Sequence, residues 1–542
     1  MKKEAVRMDP PSQWASKFDV VKSLTEDDQS IVYINSARGV VSDAMQFAEG
    51  LEEVRDPRIE ELMNFAGEHV HDKYFLISCL RKGVAFHHGR MPQDLRERIE
   101  NLYAAQDSPL KYVFCTSTLL EGVNLPAKNI FVLSDQHGLR DLTQMDFENL
   151  IGRAGRLTFD FSGNVVCVRD TENAWSGKTK NLIANTEPLE AKSFLVNPVP
   201  RRKKEFTDIE KSLAREPLPK DRSADSIRTS RQYASILTLH EIEGQTSGLK
   251  TLFLDRIAQG KEQLHKVASE LTVPSRVLRR TPDIAAHYQE EVWKRVQSQS
   301  DFAPLIGEGD DLSENATYLS VLHRLYEQYN WGKEESVGTY KLVPSRKKAT
   351  DSLEPTHARL RYWANLMRNW VAGKPLHLII RSSILYFRDE GEITIRDFSS
   401  PSTYKTVPFI ESDTVLINQI IEDVLLDIEV GLRFRIMRYL QNFYDISVAA
   451  QGQPKAGVDL ASLVEYGTQD LVAVALQDAG LSRNASVALS SQFRDAVELS
   501  DSGDLVDIEL TRVLAGLENN DELAQEVRQI FGEVEEHGVN QG

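Results

Sequence analysis

The stretch Asp146-Phe-Glu-Asn-Leu-Ile-Gly-Arg-Ala-Gly-Arg-Leu157 places two glycines directly beside two arginines. Gly152 and Gly155 allow the backbone to bend and to approach a neighbouring group closely, which favours a turn over a helix interior. Arg153 and Arg156 each carry a planar guanidinium that donates paired hydrogen bonds to phosphate oxygens and keeps its proton. The pattern therefore predicts a turn that presents fixed positive charge to a phosphate group.

Five short apolar, β-rich runs flank this turn, at residues 30–34, 83–86, 112–115, 130–133 and 164–168. Helical patterns separate them, and one of these places Leu95, Ile99 and Tyr103 on a single helix face. Strands that alternate with helices predict an α/β fold, with a parallel sheet covered by helices on both faces. Sheets of this kind bind ligands in the loops at the carboxyl ends of their strands.

Short polar side chains and glycines follow three of the predicted strands. They are Asn35 and Ser36, then His87, His88 and Gly89, then the stretch Thr116-Ser-Thr-Leu-Leu-Glu-Gly-Val-Asn-Leu-Pro126. Hydroxyl groups and backbone amides at the starts of helices suit phosphate oxygens. In the third loop, Gly122 permits close approach of the backbone, and Asn124 offers an amide to a ribose or a phosphate. The loops therefore predict a phosphate-binding edge of the sheet.

In order and spacing, these loops resemble motifs of the second RecA-like lobe of superfamily 2 nucleic-acid helicases, in the Ski-like DExH branch. The matching stretches are Phe86–Gly89, Thr116–Pro126 and Asn149–Arg156. The last of them departs from the family's usual Gln-x-x-Gly-Arg-x-Gly-Arg, because Asn149 stands where that family has Gln. The resemblance covers residues 20–175 and implies a RecA-like parallel sheet, here followed by mostly helical domains with a small β-hairpin.

The resemblance implies a role for each matching residue. Arg153 and Arg156 would be catalytic arginine fingers, a contribution worth about 10³–10⁵ in turnover in other nucleotide hydrolases. The residues implied at the nucleotide are Gly122, Asn124, Asn149 and Gly152. Those implied to hold a nucleic-acid strand (DNA or RNA) by its phosphates are Asn35, Ser36, His88, Gly89, Thr116, Ser117 and Thr118. Closure of a cleft around ATP would then move the strand.

A helicase of this kind also needs a first lobe, with a Gly-x-x-x-x-Gly-Lys-Thr loop for phosphates and an Asp-Glu box for Mg²⁺. We find no such loop with its box, since Glu172 stands where the run ending in Gly177-Lys178-Thr179 needs its first glycine. We therefore expect the C-terminal half of an ATP-dependent helicase, cytoplasmic, which itself binds no metal. A separate polypeptide carrying the first RecA-like lobe would complete the site for ATP with Mg²⁺, unless the gene is truncated.

Alternative interpretations stay open. The chain could be a non-enzymatic module that binds nucleic acid or a protein partner through a retained helicase lobe. Arg153 and Arg156 could form surface salt bridges instead of arginine fingers. Ser36 and Thr116 could be helix caps, and His87 could simply end a strand, with its side chain directed inward.

Charge is distributed unevenly along the 542 residues. The net charge of −17 divides into −6 for residues 1–200, +5 for 201–376 and −16 for 377–542. Nucleic acid would therefore follow the first two thirds, and the acidic end suits a protein partner better. No apolar run approaches the roughly 18 residues of a membrane span. Three cysteines in a chain of this length favour a reducing cytoplasm.

These patterns divide the chain into four predicted parts. They are an N-terminal arm (1–29), the helicase C-terminal lobe (30–180), a basic helical domain (181–376) and an acidic, mainly helical domain (377–542). In the basic domain, Arg276, Arg279 and Arg280 could line a nucleic-acid channel or belong to solvated helix faces. In the acidic domain, residues 384–408 predict a small β-hairpin, and Val415–Tyr444 predicts a buried central helix.

Overall fold

The computed structural model describes residues 15–26, 28–117, 127–137, 140–152, 163–169, 202–219, 222–298, 303–307, 309–338, 340–346, 348, 350–396, 404–500, 503–517 and 521–532. Five sequence-predicted site residues lie outside these ranges, namely Thr118, Gly122, Asn124, Arg153 and Arg156. The chain divides into two compact units, unit 1 (residues 1–191 with 375–426) and unit 2 (residues 192–374 with 427–542). The four predicted parts follow the chain, whereas these units do not, because residues 375–426 return to unit 1.

Unit 1 is built around a parallel β-sheet. Its strands in chain order are β1 (Ser30–Tyr33), β2 (Val84–His87), β3 (Tyr112–Cys115), β4 (Asn129–Val132), β5 (Gln136–His137), β6 (Arg140–Asp141) and β7 (Asn164–Cys167). The main sheet has the order β2-β3-β1-β4-β7, and every neighbouring pair in it is parallel. Strands β5 and β6 form a short antiparallel hairpin. The predicted α/β class with a parallel sheet is therefore confirmed.

Helices flank this sheet. The first are α1 (Lys17–Thr25), α2 (Ala37–Glu49), α3 (Pro57–His69), α4 (Phe75–Leu80), α5 (Gln93–Ala104) and α6 (Gln144–Ile151). Every residue of β1 to β4 is buried, as expected for a sheet whose two faces are both covered. Burial of each large apolar side chain stabilises the fold by about 1.5–3 kcal/mol, so these four-residue runs fix the position of the loops that follow them.

The first segment of unit 2 is helical. Its helices are α7 (Arg202–Leu213), α8 (Ala224–Ile242), α9 (Gly248–Arg256), α10 (Gly260–Ser269), α11 (Ser275–Arg280), α12 (Ala286–Ser298), α13 (Asn315–Gln328), α14 (Trp331–Glu334) and α15 (Glu354–Val371). Phe206, Leu237, Phe253 and Leu264 are the centre of one apolar core in this segment. The aromatic side chains of Trp331 and Trp363 are fully buried elsewhere in it.

Residues 375–426 complete unit 1 with α16 (Leu376–Glu390), β8 (Glu392–Arg396), β9 (Tyr404–Pro408) and α17 (Thr414–Leu426). Strands β8 and β9 pair antiparallel, which is the predicted hairpin. Helix α17 is hydrogen-bonded to the sheet-bearing segment through Asn418. The Asn418 Oδ1 accepts from the backbone N–H of Phe75 (2.8 Å), and its Nδ2 donates to the carbonyl of Lys73 (2.7 Å).

The predicted central helix over Val415–Tyr444 is helical throughout but not uniform. After α17 the chain forms a π-helix (Asp427–Ile436), which is followed by α18 (Met437–Gln451). Asp427 is buried and accepts hydrogen bonds from Tyr340 (2.7 Å) and Arg359 (2.9 Å). A wide π turn and an α-helix both bury one face, so the apolar pattern alone does not distinguish them.

The C-terminal part of unit 2 contains α19 (Leu460–Tyr466), α20 (Leu471–Asp478), α21 (Arg483–Gln492), β10 (Val497–Leu499), β11 (Leu505–Ile508), α22 (Leu510–Gly516) and α23 (Asp521–Phe531). Leu476, Leu489, Val513 and Val527 belong to its apolar core. The antiparallel β10–β11 pair is a feature that the sequence analysis did not predict. Within the described residues, no helix combines the length and the apolarity that crossing a membrane requires.

Candidate nucleotide and nucleic-acid site

The carboxyl ends of β1, β2 and β3 lie level with one another. Tyr33 on β1 and His87 on β2 are both in register with Cys115 on β3. The residues that follow these three positions therefore meet at one edge of the sheet, which we call the carboxyl edge. It brings together six residues that the sequence associates with a nucleic-acid strand: Asn35, Ser36, His88, Gly89, Thr116 and Ser117.

Ser36 begins helix α2 and is exposed at this edge. Its Oγ accepts a hydrogen bond from the backbone N–H of Gly39 (3.2 Å), which makes it an N-cap. Beside it, Asn35 Nδ2 donates to Oε1 of Gln136 on β5 (3.3 Å). A hydroxyl has one donor and two acceptor positions. Capping of α2 and donation to a phosphate oxygen are therefore compatible at Ser36.

Thr116 and Ser117 continue the chain directly beyond β3. The Thr116 backbone N–H donates to the His87 carbonyl (3.2 Å), so β2 and β3 remain joined at the carboxyl edge. The Ser117 Oγ lies 3.0 Å from Nε2 of His137 on β5. Both residues are half-buried, and both hydroxyls stand where the predicted phosphate-binding loop begins.

His87 and His88 are both buried, with 0% and 1% of their side chains exposed. The His87 Nε2 lies 2.6 Å from Glu100 Oε1; burial lowers the pKa of His87, and the Glu100 carboxylate opposes that shift. The His88 Nε2 lies 3.5 Å from Oε1 of Glu422 on α17. Both imidazoles are thus directed into unit 1, as the structural alternative for His87 anticipated.

Glu422 is a buried carboxylate beside the strand-end loop of β2. Burial alone would raise its pKa, but the neighbouring His88 and Arg90 and the hydrogen bond from the Tyr74 hydroxyl (3.2 Å) hold the pKa of Glu422 below its usual value. The carboxylate of Glu422 therefore favours its ionised form beside the His88 ring.

Helix α6 carries the first part of the glycine–arginine motif. Thr143 and Asp146 form a reciprocal capping box, in which Thr143 Oγ1 accepts from the Asp146 N–H (3.1 Å) and Asp146 Oδ2 accepts from the Thr143 N–H (2.9 Å). Asn149 is exposed on this helix. Gly152 is its C-cap with φ −63°, a helical value that any residue adopts, so the bend predicted at Gly152 does not depend on a left-handed backbone.

Two of the three arginines of unit 2 that the sequence associates with a nucleic-acid channel, Arg279 and Arg280, are paired with carboxylates. Arg279 Nη2 lies 2.5 Å from Glu243 Oε1, and Arg280 Nη1 lies 2.8 Å from Asp445 Oδ1. Burial raises the pKa of Asp445, and Arg280 opposes that shift by favouring the carboxylate. This geometry favours the solvated-helix interpretation for the cluster. In the part of the chain that the structure describes, no group of three or more His, Cys, Asp or Glu side chains is arranged to hold a metal ion.

A parallel sheet with polar loops at its carboxyl edge, and a helix that leads into a Gly-Arg-Ala-Gly-Arg run, define a RecA-like helicase lobe. Residues 16–158 match the family model of the helicase conserved C-terminal domain. This part of the chain is therefore similar to the C-terminal lobe of helicases. Its assignment to the Ski-like DExH branch stays a prediction.

Curated relatives resemble the chain over part of its length. Anti-bacteriophage protein B of Escherichia coli K12 is 34% identical over 92 residues, which are 17% of this chain and 12% of the relative. The ATP-dependent DNA helicase Hel308 of Methanococcus vannielii is 28% identical over 181 residues, 32% of this chain and 23% of the relative. Hel308 of Thermoplasma acidophilum is 28% identical over 202 residues, 36% of this chain and 29% of the relative. The chain thus spans less than a third of these relatives.

Three residues of this region were not singled out from the sequence: His137, Asp146 and Glu422. Thr143 and Asp146, three positions apart, follow the spacing of a capping box, so a local signal for Asp146 existed. His137 and Glu422 have no such signal, because their partners are remote in sequence. Ser117 is 20 positions from His137, and Tyr74 is 348 positions from Glu422.

Proposed function

We propose that the chain acts as the C-terminal half of an ATP-dependent nucleic-acid helicase, with an ATP site completed by a first RecA-like lobe outside these 542 residues. The observation that carries this proposal is the convergence of Ser36, Thr116 and Ser117 at one edge of a sheet in a helicase C-terminal domain. Loops at that edge are where parallel sheets bind phosphate-bearing ligands.

On the nucleotide side, Arg153 and Arg156 would act as arginine fingers toward ATP with Mg²⁺. They follow directly after α6, whose buried side chains Phe147 and Leu150 anchor it in unit 1. Exposed Asn149 and the C-cap Gly152 would then lie beside the nucleotide. Rigid attachment matters, since an arginine finger contributes about 10³–10⁵ to turnover only when it is correctly placed.

The nucleotide state would also be read by the third loop. Gly122 would let the backbone come close to ATP, and Asn124 would offer its amide to the ribose or a phosphate. Both follow Ser117 in the same loop, so nucleotide and strand would be bound by neighbouring stretches of chain.

On the strand side, the hydroxyls of Ser36, Thr116, Ser117 and Thr118 would donate to phosphate oxygens, joined by Asn35 and the backbone at His88 and Gly89. The imidazole of His88 points into unit 1 toward Glu422, so its contribution at the edge would come from the backbone. Contacts to phosphates and not to bases predict little sequence preference.

The names of the relatives favour DNA as the bound nucleic acid and defence against phage as the biological role. Two of them are DNA helicases, so we propose DNA over RNA as the strand. The anti-bacteriophage relative favours a role in defence against phage. The three cysteines are free thiols, which supports a reducing, cytoplasmic location.

A second function is a non-enzymatic module that binds nucleic acid or a protein. The net charge of −16 over residues 377–542 and the exposed apolar side chains of Leu471 and Val506 favour a protein partner for the acidic C-terminal part. An exposed apolar residue in acidic surroundings is a common feature of protein contacts and not of nucleic-acid contacts.

ATP turnover in the presence of single-stranded DNA distinguishes these functions. The purified chain should turn over ATP negligibly. A polypeptide with a phosphate loop, captured with the chain from native extract, should restore DNA-stimulated turnover. Arg156→Ala should then reduce that turnover by about 10³-fold or more.

Arg58→Ala is the matched control, because Arg58 pairs with Asp56 on the surface of the same unit (2.8 Å). Robust turnover by the chain alone, abolished by Arg156→Ala, would contradict the need for a separate first lobe. Strand binding without any restored turnover would favour the non-enzymatic module.

A further inference from the structure

Ser117, His137 and Asp146 form a continuous hydrogen-bonded series in unit 1. The Ser117 Oγ lies 3.0 Å from His137 Nε2, and His137 Nδ1 lies 3.3 Å from Asp146 Oδ1. The three residues come from three separate parts of the fold: the segment directly after β3, the hairpin strand β5 and the first turn of α6. One imidazole ring therefore joins the carboxyl edge to the helix that leads into the arginine motif.

The partners define the direction of each hydrogen bond. A carboxylate only accepts, so the Nδ1 of His137 carries the proton that faces Asp146. In the neutral ring, Nε2 then accepts from the Ser117 hydroxyl. Asp146 is itself held in place, because its Oδ2 accepts from the N–H (2.9 Å) and the hydroxyl (2.7 Å) of Thr143. These hydrogen bonds connect Ser117 to the N-terminal turn of α6 without interruption.

The surroundings of Ser117, His137 and Asp146 favour a structural connection over a catalytic triad with Ser117 as its nucleophile. Serine, histidine and aspartate also form the triad of serine hydrolases, in which the hydroxyl attacks a carbonyl carbon. Here Asp146 doubles as the capping partner of Thr143, and Ser117 stands at the phosphate-binding edge of a helicase lobe. Both ends of the series are therefore parts of the machinery that the proposed function uses.

We propose that His137 is a positioning residue that couples engagement of a nucleic-acid strand at Ser117 to the order of helix α6. The inference rests on the proposed function, in which Ser117 contacts a strand phosphate. A phosphate contact fixes the Ser117 hydroxyl, the fixed hydroxyl orients the His137 ring, and the ring restrains Asp146. When the strand orders Ser117, less conformational entropy is lost in ordering the first turn of α6. Two sites that share such a loss of entropy are thermodynamically coupled.

Amide hydrogen exchange of the peptide covering residues 143–152 tests this coupling. It is measured without and with single-stranded oligothymidylate, at a concentration that saturates each variant. In the unaltered chain the strand should slow exchange of this peptide by about 5-fold or more. His137→Phe keeps a ring of similar size but removes both hydrogen bonds, so the slowing should disappear.

The control variant is His69→Phe, since His69 stacks on Phe65 at 4.1 Å between ring centroids on α3 of the same unit. It should retain the slowing. Slowing that persists in His137→Phe, or that His69→Phe also loses, would overturn the coupling. If the unaltered chain binds no strand, the proposed function fails together with this inference. Strand binding without slower exchange would overturn the inference alone.

A measurement without any strand tests the hydrogen-bonded series itself. In ¹⁵N-histidine spectra, His137 should show the tautomer protonated at Nδ1. Asp146→Asn should shift it toward Nε2, because the amide can donate to Nδ1. An unchanged tautomer would contradict the series. Ester hydrolysis that Ser117→Ala abolishes would assign Ser117 as a nucleophile and overturn the positioning role.

Discussion

The carboxyl edge of unit 1 and the arginine-rich interior of unit 2 use polar side chains in opposite ways. At the edge, Ser36 is exposed and Ser117 is half-buried. In unit 2, Arg435 and Arg438 both contact Glu335, whose side chain is 1% exposed. The edge has short neutral donors at the surface, whereas the interior has charged groups that neutralise one another.

This difference shows that net charge alone does not indicate which basic side chains lack a carboxylate partner. The net charge of +5 over residues 201–376 suggested a basic surface. Arg279 and Arg280, however, are paired with the partly buried Glu243 and Asp445. A guanidinium that already donates to a carboxylate has fewer donors left for a phosphate. Three predictions test the comparison.

The largest expected effect is on stability, from Glu335→Ala. This change leaves Arg435 and Arg438 partly buried without their shared carboxylate, and it removes the acceptor for the Tyr439 hydroxyl (2.7 Å). Loss of one partner from a buried ion pair costs about 3–5 kcal/mol. Urea unfolding followed by tryptophan fluorescence measures it, since Trp331 and Trp363 are buried in unit 2.

Glu354→Ala provides the control for that measurement. Glu354 pairs with Arg361 on the surface (2.6 Å), with 69% and 52% of the two side chains exposed. Solvent screens such a pair, so the urea midpoint should change little. An equally small change in Glu335→Ala would mean that the interior arginines do not depend on pairing, and the contrast between the two regions would fail.

The second effect concerns pH and His287 in unit 2. Burial, and then the charges of Arg215, Lys333 and Arg231, lower the pKa of His287 to about 4. Histidine in the unfolded chain titrates near 6.5, so the unfolded state takes up the proton first as the pH falls. The free energy of unfolding is therefore unaffected by His287 above about pH 6.5. As the pH falls from there to about 4, the free energy of unfolding decreases by up to about 3 kcal/mol.

Urea unfolding from pH 7.5 to pH 4, compared between the unaltered chain and His287→Phe, measures this contribution. The variant should lose less stability than the unaltered chain over the same interval. His265→Phe is the control, because 80% of the His265 side chain is exposed, and it should keep the dependence of the unaltered chain. Identical pH profiles in all three chains would show that burial and the neighbouring cations do not lower the pKa of His287.

The smallest effects concern strand affinity, measured by fluorescence anisotropy with labelled single-stranded DNA. Ser36→Ala should weaken binding about 5-fold, since it removes a hydroxyl contact of about 1 kcal/mol. Ser36→Gly separates this from the helix cap, because glycine costs only a few tenths of a kcal/mol at an N-cap. Arg280→Gln should leave affinity and its salt dependence unchanged. A stronger loss from Arg280→Gln than from Ser36→Gly would reverse the comparison.

Much of the sheet followed from local sequence. The strand runs at 30–34, 112–115 and 130–133 are short, apolar and β-rich, and each corresponds to a strand whose residues are all buried. The convergence of Ser36, Thr116 and Ser117 followed from the geometry of parallel strands, because the carboxyl ends of such strands share an edge. These inferences need no knowledge of remote contacts.

Three features could not be predicted from the sequence. One depends on a partner that is remote along the chain, and two depend on local backbone conformation. The carboxylate that neutralises Arg280 is 165 positions away, so the cluster resembled a free basic surface. Gly503, between β10 and β11, has φ +89°, but the two strands are short and lie among helical patterns. The π-helix at Asp427–Ile436 buries apolar residues such as Ile428, Leu432 and Ile436 at the spacing that an α-helix also uses, so the apolar pattern does not reveal it.

The return of residues 375–426 to unit 1 has a consequence for biosynthesis. Helix α17 supplies Asn418, which satisfies the backbone of Lys73 and Phe75, and Glu422, which faces His88. The helicase motifs all leave the ribosome long before that helix does. During synthesis, these contacts can form only after some 250 further residues beyond the arginine motif have been translated, so the lobe is completed late.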